Sequence, residues 1–185
     1  MRVIAGELKG RRLAQPPAAT TRAATDRIRE SLFAILDPII EGARVLDLFA
    51  GAGSLGIEAI SRGAARATFV DRDRAAIAAI RANVDAMGIA GRARVVASSV
   101  TTFLAGDTGG PYDLVLCDPP FAEVDLLTAT LAHEGLRASL ASDALVVARV
   151  LKKHRPGIPS AARIERDKAI GEETLLFLRY DAASR

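Results

Sequence analysis

Asp118-Pro119-Pro120-Phe121 places a carboxylate, two residues without an N–H and an aromatic ring in four consecutive positions. The preceding run, Tyr112-Asp113-Leu114-Val115-Leu116-Cys117, is apolar enough to read as a buried strand. Two prolines end such a strand abruptly, because each holds φ at about −65° and neither can donate to a ladder. The chain is therefore stiff where a carboxylate, freed carbonyls and a ring emerge together. That set suits a grip on a flat amino-bearing group, such as a nucleobase with an exocyclic amine.

A second constellation lies upstream. In Val45-Leu46-Asp47-Leu48-Phe49-Ala50-Gly51-Ala52-Gly53-Ser54-Leu55-Gly56, a strand runs into a glycine turn and then a helix, with Gly51, Gly53 and Gly56 at G-x-G-x-x-G spacing. Glycines allow the tight turn and let a ligand lie against the backbone at the helix N-terminus. Asp71 closes the next strand twenty residues after Gly51, where a carboxylate can accept from two ribose hydroxyls. The spacing predicts a nucleoside-containing cofactor, against the alternative of a purely structural βα turn. No Gly-Lys-Ser/Thr follows, so a phosphate-binding P-loop is excluded, while a dinucleotide stays open. Asp47 at the strand tip counts against a pyrophosphate and favours a cationic ligand, such as the amino group of S-adenosylmethionine.

These residues need a scaffold. Strand-like runs at Arg44–Phe49, Ala67–Asp71, Ala93–Ala97, Tyr112–Asp118, Ala144–Leu151 and Thr174–Tyr180 are separated by helical stretches near 54–62, 73–87, 100–105 and 123–133. Alternation of this kind predicts an α/β fold with a doubly wound, mostly parallel sheet, and places ligands at the carboxyl ends of its strands. Arg163–Lys168 is a further strand candidate, close enough to Thr174–Tyr180 to form an antiparallel C-terminal hairpin through Gly171. Thr25 is positioned to N-cap a helix whose apolar face is Ile28, Leu32, Ile35 and Leu36, with Asp37-Pro38 as its expected end. Residues 1–24 form a separate zone, in which Val3-Ile4-Ala5 and Arg12-Leu13-Ala14 can pair as a short N-terminal β-hairpin. The division is thus a leader at 1–24 and a domain at 25–185.

Charge separates the same two zones. The net charge is +3, yet residues 1–30 carry seven basic side chains against three acidic ones, which leaves the remainder near −1. A basic leader on a near-neutral body suits a polyanion-binding extension, and a solvated face is the competing reading. Only 4% of residues are aromatic and Trp is absent, so the core must be built from Ala, Leu, Val and Ile. A single cysteine, Cys117, excludes an internal disulfide framework and fits a small buried side chain in a reducing compartment. His133 and His154 lack partners at metal-ligand spacing, so no metal is expected. Glu172-Glu173 reads as part of a turn with no special role. No apolar run has membrane-spanning length, and Met1–Glu7 turns polar too soon for a signal peptide. The expectation is a cytoplasmic protein, and nothing calls for more than a monomer.

Asp47-Leu48-Phe49-Ala50-Gly51-Ala52-Gly53 resembles the first motif of class I S-adenosylmethionine-dependent methyltransferases, whose fold is Rossmann-like. That resemblance implies S-adenosylmethionine as cofactor, held by Asp47, Phe49, Gly51 and Gly53, with Asp71 and the adjoining Arg72 near the ribose and Ser99 near the adenine. Asp-Pro-Pro-Phe resembles the signature of methyltransferases acting on adenine N6 or guanine N2. Asp118 and the Pro119 carbonyl would then accept from the amine, Pro120 would stiffen the turn and Phe121 would stack on the base. The resemblance extends through Met1-Arg2-Val3-Ile4-Ala5-Gly6, Lys9-Gly10-Arg11-Arg12-Leu13, Arg22 and Thr25–Glu30 to the bacterial 16S ribosomal RNA guanine-N2 methyltransferases.

By that likeness Arg2, Lys9, Arg11, Arg12 and Arg22 would hold ribosomal RNA of the small subunit, and Asp26 and Arg27 would border the cleft. The chain departs from the pattern at Ala23, where proline is frequent, and at Ala148–Lys153, where acidic residues are usual and here the run is basic. The rivals are an adenine-N6 methyltransferase on DNA, a dinucleotide-dependent oxidoreductase and a non-catalytic RNA-binding assembly factor. Cofactor identity separates the second, and activity the third.

Overall fold

A computed structural model describes residues 1–16 and 25–181, so Arg22 and Ala23 lie outside the described residues. Seven strands form one sheet: β1 (Arg44–Leu48), β2 (Arg66–Asp71), β3 (Ala93–Ala97), β4 (Tyr112–Cys117), β5 (Leu140–Leu151), β6 (Ala162–Ile170) and β7 (Glu173–Tyr180). Their order is β3-β2-β1-β4-β5-β7-β6. The first five are parallel, and β7 runs antiparallel between β5 and β6. The doubly wound sheet with its antiparallel C-terminal hairpin is the expected architecture. Chain order reverses at β1, which is flanked by β2 and β4 with Leu48 opposite Cys117. The glycine turn and the Asp118–Phe121 turn therefore leave the sheet side by side.

Among the described residues six α-helices cover the two faces. Helices α1 (Asp26–Ile40), α2 (Ser54–Ser61) and α3 (Arg74–Met87) bury Phe33, Ile57 and Ile80 against one face. Helices α4 (Val100–Leu104), α5 (Val124–Ala132) and α6 (Glu134–Ala138) bury Phe103, Leu131 and Leu136 against the other. Thr25 caps α1, its Oγ1 accepting from the Ile28 N–H at 3.4 Å. Pro38 lies inside α1 instead of ending it. So near the C-terminus it removes one intrahelical bond, and Ile40 is still drawn into the core. Cys117 is buried, and burial pushes its thiol pKa up.

The N-terminal segment pairs less than the expected hairpin. Among the described residues its one bridge is Arg2 opposite Arg12, with Val3 N–H donating to the Arg11 carbonyl and Leu13 N–H to the Met1 carbonyl. Gly6 and Gly10 hold positive φ and turn the chain out of strand geometry between those positions. Side-chain packing replaces the missing ladder. Val3, Leu8 and Leu13 are buried in the same apolar cluster as α1 and α2.

Candidate active site

A cavity of about 510 Å³ opens at the carboxyl ends of β1, β2 and β4. Phe49, Gly51, Asp71, Arg72 and Ser99 line one side, and Asp118, Pro119, Pro120, Phe121 and Arg149 line the other. The structure thus brings most of the expected cofactor and amine-holding residues to one space. Asp47 and Gly53 are not in its lining.

The glycine side is built by backbone. Phe49 (φ 63°), Gly51 (φ 57°) and Gly53 (φ 77°) all hold left-handed conformations, which is uncommon and strained for a phenylalanine. The Asp71 carboxylate fixes this loop: one oxygen accepts from Gly51 N–H at 2.8 Å and the other from Asp73 N–H at 2.9 Å. Each oxygen keeps a lone pair able to accept from a hydroxyl, so this carboxylate fits a diol at the cavity edge. Behind the loop, Asp47 is buried and its Oδ2 accepts from Gly56 N–H at 2.9 Å, while Oδ1 has no partner. Burial is the main force raising the Asp47 pKa well above the ordinary carboxylate range, despite the Gly56 bond that lowers it.

Gly56 belongs to packing more than to a ligand. A Cβ there would lie 2.4 Å from the Phe69 ring and 3.1 Å from Asp47 Oδ2. Ser99 lines the cavity as the N-cap of α4, its Oγ accepting from Thr102 N–H at 3.1 Å. Arg72 spans the mouth to Glu123 at 2.9 Å, joining the loop after β2 to the turn after β4.

The amine side is built by charge. Asp118 Oδ1 accepts from Arg149 Nε at 2.5 Å, and Arg149 Nη1 donates to Glu173 Oε2 at 2.9 Å. The same guanidinium carbon stands 4.7 Å from the Phe121 ring centroid. Burial raises the Asp118 pKa, Arg149 opposes that rise, and Glu173 adds to it. Burial works against the charge on Arg149, but Asp118 and Glu173 together raise its pKa. Glu173 is therefore no idle turn residue. It opens β7 opposite Leu151 and is 9% exposed, so pairing drew it inward. Nothing local in Glu172-Glu173 marks this. The signal lay in the unexpected cation within the apolar run of β5.

The leader is tied to α2 and α3. Glu58, fully buried, accepts from Ile4 N–H at 2.8 Å and Ala5 N–H at 3.0 Å, and pairs with Arg62 at 2.8 Å. Arg29 is also fully buried, bonding the Arg2 carbonyl at 2.7 Å and Asp26 at 2.8 Å. This cation, counted with the basic leader, is inside. Asp26 pairs with it and does not line the cavity. Asn83 accepts from Ala14 N–H at 2.7 Å and donates to the Ala52 carbonyl at 2.9 Å, which brings Gln15 and Pro16 to the cavity rim. Arg2, Lys9, Arg11, Arg12 and Arg27 are exposed, and Arg11 reaches the Ala86 carbonyl. None of these five lines the cavity.

The model of a family described as Conserved hypothetical protein 95 matches residues 1–179. The chain belongs to that family. Ribosomal RNA small subunit methyltransferase D of Escherichia coli (strain K12) is 40% identical over 183 residues, covering 98% of this chain and 91% of the relative. The same-named protein of Haemophilus influenzae is 37% identical over 123 residues, covering 65% of this chain and 64% of that one. Among solved structures, YhhF from Escherichia coli superposes with a TM-score of 0.85 at 38% identity, with 99% of both chains covered. A more distant structure, SMU.776 complexed with S-adenosylhomocysteine, is 18% identical with a TM-score of 0.63 over 81% of this chain and 48% of that one, and it shows the shared fold alone. In the Conserved hypothetical protein 95 family the matched span runs from the leader to β7, so both cavity walls fall within it.

Proposed function

We propose that this protein methylates the exocyclic N2 amine of a guanine in 16S ribosomal RNA of the small subunit, using S-adenosylmethionine. The observation that carries the reading is the single cavity shared by Asp118–Phe121, the Gly51 loop and Asp71. The family relatives named as small-subunit ribosomal RNA methyltransferases support the substrate. The residues fit the cofactor: Asp71 for the ribose hydroxyls and Gly51 for close approach of the backbone, while Asp47 lies behind the loop and outside the cavity lining, where a cationic ligand would favour its ionised form. Ser99 and Arg72 complete that side. When bound, S-adenosylmethionine supplies an electrophilic methyl group on a sulfonium.

The residues of the chain do the rest by positioning. Asp118 in its ionised form accepts an N–H of the base amine, which turns the nitrogen lone pair out of conjugation and toward the incoming carbon. Its negative charge would also offset the positive charge that grows on nitrogen as the N–C bond forms and the methyl–sulfonium bond breaks, and the same carboxylate could take the proton that nitrogen then sheds. Pro119 and Pro120 keep that carboxylate from swinging, and Phe121 stacks on a base taken out of its helix. Arg2, Lys9, Arg11, Arg12 and Arg27 form the phosphate-binding surface of the leader and of the start of α1, with Arg22 as a further candidate. Such contacts would give affinity a steep salt dependence. Among the described residues no helix is long and apolar enough to cross a membrane. The work site is the cytoplasm, and a monomer suffices.

One assay tests the whole reading. Labelled S-adenosylmethionine is offered with unmodified small subunits, naked ribosomal RNA and duplex DNA in parallel, followed by nucleoside analysis. Label in N2-methylguanosine is expected from the ribosomal substrates. Label in DNA alone would overturn the substrate, and no label anywhere would leave a binding protein.

A further inference from the structure

Arg149 is an unusual occupant of its place. Its neighbours on β5, Val146, Val147, Ala148 and Val150, are all buried and apolar, and Arg149 itself is 6% exposed. A guanidinium so placed loses most of its hydration, which only well-arranged anions can offset. Asp118 from the end of β4 and Glu173 from the start of β7 supply them at 2.5 and 2.9 Å. The cation also stands over Phe121 at 4.7 Å and reaches the cavity wall. One side chain therefore touches both groups assigned to hold the base, and a second anion anchors it from behind.

We propose that Arg149, anchored by Glu173, is a positioning residue that fixes the Asp118 carboxylate and the Phe121 ring as one unit and keeps Asp118 ionised for the base amine. The proposal rests on the function proposed above, in which Asp118 receives that amine. The planar fork of a guanidinium sets the plane of the carboxylate it binds, and the same plane attracts the face of the ring. Asp118 is faced by Asp47 from β1, Cys117 on its own strand, Arg149 from β5 and Glu173 from β7, while Ile28 and Leu32 of α1 stand beside it as apolar neighbours. Arg149 is the one cation in that set. Burial and the nearby anions favour a protonated Asp118, and Arg149 opposes them.

The two partners should act on Asp118 with opposite signs, which simple structural support does not predict. Carbon-13 NMR of the side-chain carboxyls reads the Asp118 midpoint without turnover. The double variant Arg149→Gln/Glu173→Gln, which leaves neither partner charged, should raise that midpoint, and Glu173→Gln alone should lower it. The acid limb of kcat/KM on small subunits should move in the same directions. Arg149→Lys keeps the charge without the plane, so it should raise KM several-fold and leave the acid limb in place. Unmoved midpoints in both glutamine variants overturn the proposal, as do midpoints that move while the acid limb stays fixed. An unchanged KM in Arg149→Lys removes the Phe121 half. Asp118→Asn is run alongside: inactivity with unmoved midpoints fails this proposal alone, whereas full activity fails the base-holding reading beneath it.

Discussion

At the end of β1 the cavity wall is shaped by backbone that the Asp71 carboxylate braces, whereas at the ends of β4 and β5 it is made of charged side chains paired across the sheet. On the first side Phe49, Gly51 and Gly53 hold left-handed φ, and Asp47 and Asp71 spend carboxylate lone pairs on loop N–H groups. On the second side Asp118 is held by Arg149, and Arg149 by Glu173, from three different strands. A backbone wall is set by local sequence and does not titrate away. A charged wall depends on distant partners and on pH. The contrast matches the tasks assigned to them: the first receives a ligand of constant shape, and the second must hold a group whose charge changes during the reaction.

Breaking the charged wall should have the largest effect. Asp118→Ala is expected to lower methyl transfer by about 10³-fold, in the range seen for loss of one preorganised electrostatic group, with the affinity for S-adenosylmethionine within about twofold. Single-turnover rates and equilibrium binding separate the two, and a parallel loss of both would erase the distinction between the walls. Breaking the backbone wall should cost stability first. Gly56→Ala puts a methyl group 2.4 Å from the Phe69 ring, and we expect about 1–3 kcal/mol of destabilisation in urea unfolding. An unchanged midpoint would mean that the Phe69 ring and α2 yield easily.

Asp47 sharpens the comparison, because it is an ionisable group buried beneath the backbone wall. Its folded pKa is raised, so the folded state holds its proton more tightly than the unfolded chain does. Stability from this site is therefore greatest at low pH, and is lost as pH rises from about 3.9 through the raised folded value. Asp47→Asn removes that slope. Its stability advantage over the unaltered protein should grow with pH, while its cofactor binding weakens. An advantage that shrinks with pH would contradict the assigned shift. The smallest effect is expected at the mouth. Arg72→Ala removes an exposed ion pair with Glu123 and should change stability by less than about 1 kcal/mol.

The same division governs how much could be read from the sequence. Strand, glycine turn and Asp71 are legible because their spacing is local, and so is the stiff Asp118–Phe121 turn. Alternation predicted the doubly wound sheet with ligands at the carboxyl ends of its strands; the order of the strands, with β1 between β2 and β4, came from the structure. What escaped reading depends on contacts across the sheet. Arg149 was visible as a basic departure after the fifth strand, but its partner opens β7 and looked like a turn residue. Glu58 and Asn83 sit in helices without any motif, and only the fold reveals that they receive the leader. Helix α6 is five residues long, too short for a period to register. The leader hairpin was expected from two short apolar runs, but its order comes from sockets on α2 and α3.

Those sockets have a consequence for anyone who would treat residues 1–16 as an exchangeable cassette. The Asn83 amide accepts from Ala14 N–H with its oxygen, and its nitrogen donates both to the Ala14 carbonyl and, in the glycine loop, to the Ala52 carbonyl. Gly6 lies so close to α2 that a Cβ there would sit 1.7 Å from the Ser61 carbonyl oxygen. A leader transplanted from another chain would need a glycine at that contact and main-chain groups in register with Glu58 and Asn83. Chimeras cut at the apparent boundary would therefore join parts that do not mate. A graft that functions must carry the matching faces of α2 and α3 with it.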